Sequence, residues 1–184
     1  MYASVLLKYL PYFCGMKMTE QLRAFIRMHQ NDDVNKLLLS AARYPEIDMP
    51  FAVEQLVSRR QIKDKLPSWY ANDGLLFPAK IAAEQCSSEL TALYKQRLVT
   101  SQERLCDLTG GLGIDSYYYS RKAKEVLYLE RFESYCQAAM YNFNELQADN
   151  ITVIQTDATV YLDQLEQMDV FYIDPARRGE GDKR

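Results

Sequence analysis

Nine residues constrain this chain more than any others. Asp107-Leu108-Thr109-Gly110-Gly111-Leu112-Gly113-Ile114-Asp115 come after a short apolar run and open what reads as a helix. That is how the first loop of a doubly wound, nucleotide-binding α/β fold looks. Glycines at 110, 111 and 113 let the backbone turn sharply and approach a ligand with no Cβ in the way. A helix starting near Ile114 then aims free N–H groups and the positive end of its dipole at that ligand. The same kind of turn also serves as a plain strand-to-helix connector, so its meaning depends on the segments downstream of it.

Those downstream segments are regularly spaced. Glu125 to Glu130 reads as a buried strand ending in an acid, 17 residues after Gly113. A carboxylate there can accept two hydrogen bonds from the cis-diol of a ribose. A helix comes next, with apolar Tyr135, Ala138, Ala139 and Leu146 and with polar Asn142 and Asn144 expected on its other faces. Ile151 to Ile154 is a third short strand, closed by Asp157, whose carboxylate can accept from an exocyclic amine such as that of adenine. Taken alone, Asp157 reads equally well as the cap of a helix through Tyr161 and Leu165. Val170 to Ile173 is a fourth strand, ended by Asp174-Pro175-Ala176-Arg177-Arg178. Ligands of open α/β sheets bind at the carboxyl ends of the strands, so these four strand ends are expected to form one composite site.

The order of elements resembles the class I methyltransferase fold, which binds S-adenosylmethionine. The resemblance implies that Asp107, Thr109, Gly110, Gly111 and Gly113 form the first motif around the methionine moiety. Glu130 would take the ribose, and Asp157 would lie near the adenine. Asp174 and Pro175 would open the acceptor site. An NAD-binding Rossmann domain shares the first three strands, but two features argue against it. The dinucleotide turn needs a small third residue for helix and strand to pack, and Ser116 stands there. Asp107 also places a carboxylate where a pyrophosphate would be repelled and a sulfonium or ammonium attracted. Residues 75 to 98, together with the Asp-Leu-Thr-Gly-Gly loop and Asp-Pro-Ala-Arg-Arg, further resemble an uncharacterised bacterial methyltransferase family that carries a THUMP-like domain. That resemblance covers residues 18 to 178 and implies an RNA substrate. It also implies that Gln85, Ser87 and Ser88 reach the methionine end of the cofactor.

Composition excludes several alternatives. The four cysteines, Cys14, Cys86, Cys106 and Cys136, stand far apart, which argues against a zinc site and a disulfide framework. The one histidine, His29, lies in a helical stretch remote from the motifs, so His-dependent hydrolysis and deaminase chemistry are unsupported. No metal partner is expected. No run of ~18 apolar residues suggests a membrane span, and the apolar start lacks the basic flank of a secretory signal. The expectation is a cytoplasmic protein with reduced cysteines and no membrane partner. A net charge of −3 does not advertise nucleic-acid binding, which would then rest on local basic stripes. The candidates are Arg59-Arg60 with Lys63 and Lys65, and Arg177-Arg178 with Lys183-Arg184.

Ahead of the first strand the chain reads as helical. Thr19 starts a helix through Arg27, Asn31-Asp32-Asp33 caps another through Ala42, and Pro50 precedes a third over Phe51 to Lys65 with Ala52, Leu56 and Ile62 on one stripe. A longer helix is expected from Pro78 to about Leu98, with either Glu84, Ser87 and Ser88 facing the sheet or Ala83, Leu90 and Tyr94 turned inward. Trp69 could stack on a base, but a loop anchored on the core is the stronger expectation. The overall reading is α/β, with a helical region at 16–70 followed by an incomplete Rossmann-like methyltransferase sheet at 75–184.

At the acceptor end, Asp174 is the residue best placed to orient a nucleophile, with Pro175 fixing the chain direction and Arg177 able to hold a phosphate or ring carbonyl. The motif departs from the Asp-Pro-Pro-Tyr of many base-amine methyltransferases, which leaves ring-carbon or ribose targets open. Only ten residues come after Asp174. A class I sheet usually has seven strands, so the expectation is either a fragment of a longer protein or a sheet whose remaining half is supplied elsewhere, and a fragment of this kind is expected to hold cofactor weakly and to lack activity alone.

Overall fold

The computed structural model describes residues 18–165 and 168–175. Four parallel strands, β1 (Arg104–Asp107), β2 (Glu125–Glu130), β3 (Ile151–Gln155) and β4 (Val170–Tyr172), form a sheet in the order β3-β2-β1-β4. Leu105 lies beside Val126 and Val170, and Asp107 beside Tyr128 and Tyr172. Because every strand runs the same way, the Gly-rich loop, Glu130, Asp157 and Asp174 all emerge at one edge.

Helices α1 (Glu20–Met28), α2 (Val34–Leu39), α3 (Met49–Ile62) and α4 (Pro67–Ala71) precede the sheet. Their starts reflect local chemistry: Thr19, Asp33 and Asp48 each accept a backbone N–H of the first turn, and α3 has a proline at its opening. The second helix stops at Leu39, earlier than expected, and a short 3₁₀ turn covers Ala41–Arg43. Ala52, Leu56 and Ile62 are buried as the stripe predicts. Arg59 falls on that same inward stripe. Its guanidinium donates to the carbonyls of Tyr70, Asn72 and Leu75, and Arg60 donates to those of Gln30 and Asp32. Arg59 and Arg60 of the first candidate basic stripe are therefore spent on holding loops, and Lys65 is spent likewise on the Glu84 carbonyl.

The long helix expected over Pro78 to Leu98 is broken. It becomes α5 (Lys80–Gln85) and α6 (Glu89–Lys95), with a 3₁₀ turn over Gln96–Leu98 at its end. Cys86 is extended at ψ 158°, and Ser88 caps α6 by accepting the Thr91 N–H. Serine competes with the helical backbone for hydrogen bonds and favours such caps, which is why the helix restarts at Ser88. The break also turns Leu90 and Tyr94 out to solvent, against the one of the two alternatives that faced them inward, while Ala83 is buried.

The helical region and the sheet share one interior. Ile62, Leu66, Trp69, Leu75 and Phe77 pack with Leu112, Ile114 and Tyr118 of the Gly-rich loop and α7 (Ile114–Ser120). Trp69 is an anchor, edge-on to Tyr117. Asn142, expected on an outer face of α8 (Glu133–Glu145), is instead fully buried. Its amide accepts the Leu76 N–H and donates to the Leu76 carbonyl, both at 2.8 Å. Asparagine is one of the few side chains that can satisfy both backbone groups of a buried residue at once, so a polar position was kept inside.

Candidate functional site

The Gly-rich loop is shaped by packing as much as by its turn. Gly113 caps α7 in the left-handed region at φ 82°, and a Cβ there would stand 2.7 Å from the Phe143 ring. Gly111, at φ 60°, has only the Thr109 carbonyl nearby, so its free side is open. The Gly110 N–H donates to the Leu129 carbonyl, and the Tyr128 hydroxyl to the Gly111 carbonyl at 2.6 Å. These bonds tie the loop down over the end of β2.

Asp107 was expected to present its charge to a ligand. It is 1 % exposed, and its carboxylate is turned onto the loop, accepting from Ser116 Oγ at 2.6 Å and from the Thr109 N–H at 3.0 Å. Burial pushes its carboxyl up to about 6, against those two hydrogen bonds. Ser116 is the residue that departs from the dinucleotide turn, and this bond is its physical reason.

Glu130 is half-buried and accepts the Gly111 N–H at 3.0 Å and the Phe132 N–H at 2.8 Å, one on each oxygen. A carboxylate has about four acceptor positions, so capacity for a diol remains. Asp157 caps α9 (Ala158–Tyr161) by accepting from the backbone and hydroxyl of Thr159, which hold its carboxyl below the usual range. The capping role is therefore real and coexists with a place in the cavity wall.

A cavity of about 560 Å³ lies over this edge, within the range of small-molecule sites. Asp107, Thr109, Gly110, Gly111 and Gly113 line its floor, and Glu130 and Asp157 one side. Gln85 and Ser87 lie on its wall, and Asp174 and Pro175 at the opposite end. Ser88 is not part of the wall, because its hydroxyl is committed to the α6 cap and to Thr91. Arg177 and the basic stripe around it lie outside the described residues.

The Asp174 end of the cavity contains residues that the sequence did not single out. Asp174 is fixed from behind by its own N–H, which donates to Thr109 Oγ1 at 2.8 Å. The Tyr172 hydroxyl lies 3.0 Å from Asp115 Oδ2 and 3.1 Å from Asp174 Oδ2, and Ser87 Oγ donates to Asp115 at 2.7 Å. Burial, and then the two carboxylates, push the Tyr172 phenol well above its ordinary value, so it stays a neutral donor. Asp115 was visible within the Gly-rich loop as the first-turn acid of α7. Tyr172 was hidden by its place in an apolar strand. Arg131 and Phe132, stacked at 4.7 Å on the cavity rim, are likewise legible only in three dimensions. Among the described residues no cluster of His, Cys, Asp or Glu is arranged to hold a metal ion, and no helix is long and apolar enough to cross a membrane.

With this geometry in place, comparison with solved structures is informative. The chain is 29% identical, at a TM-score of 0.73, to a provisionally named methyltransferase of Porphyromonas gingivalis W83, over 89% of this chain and 43% of that one. It thus spans less than half of that protein's length. Weaker likenesses are to a precorrin-6y C5,15-methyltransferase of Geobacter metallireducens GS-15, 24% identical at a TM-score of 0.42 over 46% of this chain and 47% of that one. The C-terminal domain of the Rhodobacter capsulatus precorrin-6Y enzyme is 15% identical at a TM-score of 0.45, over 51% and 53% of the two chains. No protein-family model and no curated protein sequence matches. The fold is the Rossmann-like fold of class I methyltransferases.

Proposed function

We propose that this chain forms the S-adenosylmethionine-binding part of a methyltransferase whose acceptor is RNA. One observation carries the cofactor reading: four strand ends bring Asp107, Glu130, Asp157 and Asp174 around one cavity floored by the open side of Gly111. The donor set fits the group. Its charged end is cationic at sulfur and amine, and Glu130, Asp157, Asp115 and Asp174 place carboxylates on the cavity wall. When bound, S-adenosylmethionine supplies a methyl group on a positively charged sulfur, an excellent leaving group.

The protein's task is then mainly alignment, a contribution that can be large. Glu130 would hold the ribose hydroxyls while its own bonds to Gly111 and Phe132 keep it rigid. Asp157 would accept from the adenine amine, and Gln85 and Ser87 would bound the methionine end. Asp174, fixed through Thr109 and Tyr172, would accept a hydrogen bond from the acceptor and orient its lone pair.

RNA as acceptor rests on the resemblance of residues 75–98, the Gly-rich loop and the Asp-Pro-Ala-Arg-Arg segment to a THUMP-associated family. A second reading, a small-molecule acceptor, is favoured by the carboxylates around the mouth, which repel a phosphate backbone. Radiolabelled methyl transfer into RNA, protein and small-molecule fractions separates the two. RNA labelling that is lost in Asp174→Ala supports the proposal, and label confined to the small-molecule fraction contradicts it.

A further inference from the structure

Lys95, at the last turn of α6, reaches over the acceptor end of the cavity. Its ammonium lies 3.0 Å from Ser87 Oγ, 3.3 Å from both Asp115 oxygens and 3.4 Å from Asp174 Oδ2, and it also donates to the Tyr172 hydroxyl. The charge lies 4.9 Å from the centre of the Tyr172 ring. Three structural elements that never meet in sequence, α6, α7 and β4, are joined at this one nitrogen.

We propose that Lys95 is the positioning residue of the acceptor end, holding the Asp174 carboxylate in place and cancelling part of the charge that Asp174 and Asp115 present to the cavity. The inference rests on the cofactor reading above. The two ion pairs are unequal. The Lys95 and Asp115 side chains are 20% and 13% exposed, whereas Asp174 is 61% exposed. Water screens the second pair more than the first, so Asp115 is the anchor and Asp174 the arm that can be released. Tyr172 carries one proton for two carboxylate oxygens and serves one of them at a time. The three protons of Lys95 supply what the phenol cannot.

A purely structural ion pair, fastening α6 to α7, would have a different consequence. Its loss would weaken every ligand alike. A charge-setting residue instead changes how the cavity distinguishes a cation from a neutral molecule of the same shape. S-adenosylmethionine and S-adenosylhomocysteine are such a pair, differing by the sulfonium methyl.

Calorimetric titration of both ligands into wild type, Lys95→Met, Lys95→Arg and Asp174→Asn gives the ratio of the two dissociation constants for each variant. Removing one of the three charges at this end of the cavity should shift that ratio toward the sulfonium by on the order of tenfold in Lys95→Met. Lys95→Arg restores the wild-type ratio, and Asp174→Asn moves it in the opposite direction. Equal weakening of both ligands, or an unmoved ratio, overturns the inference. Should Lys95→Met fail to fold, Lys95→Gln takes its place and is read by the same ratio against wild type and Lys95→Arg. Wild-type protein that binds neither ligand overturns the cofactor reading itself and this inference with it.

Discussion

Replacing Gly113 with alanine tests whether the loop is held by packing or by backbone freedom alone. Two costs arise at this position. An L-residue in the left-handed region loses about 1–2 kcal/mol, and Gly113 sits at φ 82°. The new methyl would also stand 2.7 Å from the Phe143 ring carbon. That ring is 3 % exposed and edge-on to Tyr128 at 5.7 Å, so it has little room to give. Overpacking of a filled core costs about 1–3 kcal/mol. Gly113→Ala should therefore lose roughly 2–5 kcal/mol, a fall in Tm of roughly 4–20 °C for a domain of this size. Gly111→Ala is the internal control. It shares the left-handed backbone at φ 60°, but its nearest neighbour is the Thr109 carbonyl at 3.5 Å. Only the first cost of about 1–2 kcal/mol applies there. Urea and thermal unfolding of both variants by circular dichroism read the difference. Equal destabilisation of the two, within about 0.5 kcal/mol, would refute the claim that Phe143 and Tyr128 shape this loop.

Other parts of the structure make equally specific demands. Asn142→Ala strands both the N–H and the carbonyl of buried Leu76, at roughly 1–3 kcal/mol each. Urea denaturation should show a total loss of about 2–6 kcal/mol, and a loss below about 1 kcal/mol would contradict the clamp. Burial raises Asp107 from 3.8 to about 6, so between those values the folded chain holds a proton that the unfolded chain has lost. Its contribution is full below about pH 4 and is lost as pH rises through 6, up to roughly 3 kcal/mol. Urea midpoints from about pH 4 to 7 should fall more steeply in wild type than in Asp107→Asn, and parallel profiles would contradict the assignment.

Much of the fold was legible because its signals are local. The Gly-rich turn, the acids at the ends of β2 and β3 and the short β-branched runs each depend on a few neighbouring residues, and each appears where expected. The errors arose where a residue's role depends on distant partners. The helix over Pro78 to Leu98 broke because Ser88 prefers a cap, and a 3.6-residue pattern does not record that choice. Asn142 and Arg59 look like surface residues by type, yet both are buried because each satisfies backbone groups of the 70–77 segment. Arg59 could have been found, since it keeps step with Ala52, Leu56 and Ile62. Lys95 could not, because its four partners come from three other segments of the chain. The Gly-rich loop, Glu130, Asp157 and Asp174 were thus readable as local motifs, while the contacts of Tyr172, Asp115 and Lys95 around Asp174 emerged only from the tertiary structure.

The central claim, that this cavity takes S-adenosylmethionine, is tested most directly by calorimetric titration of S-adenosylmethionine and, separately, NAD into the longest soluble form of the protein, as wild type and as Glu130→Ala. Glu130 supports both the Gly111 and Phe132 backbone N–H groups, so its loss removes the proposed ribose contact and loosens the loop together. The account predicts saturable S-adenosylmethionine binding in wild type, its loss in Glu130→Ala, and no NAD binding in either. NAD binding, or a folded wild-type chain that binds neither ligand, would contradict it.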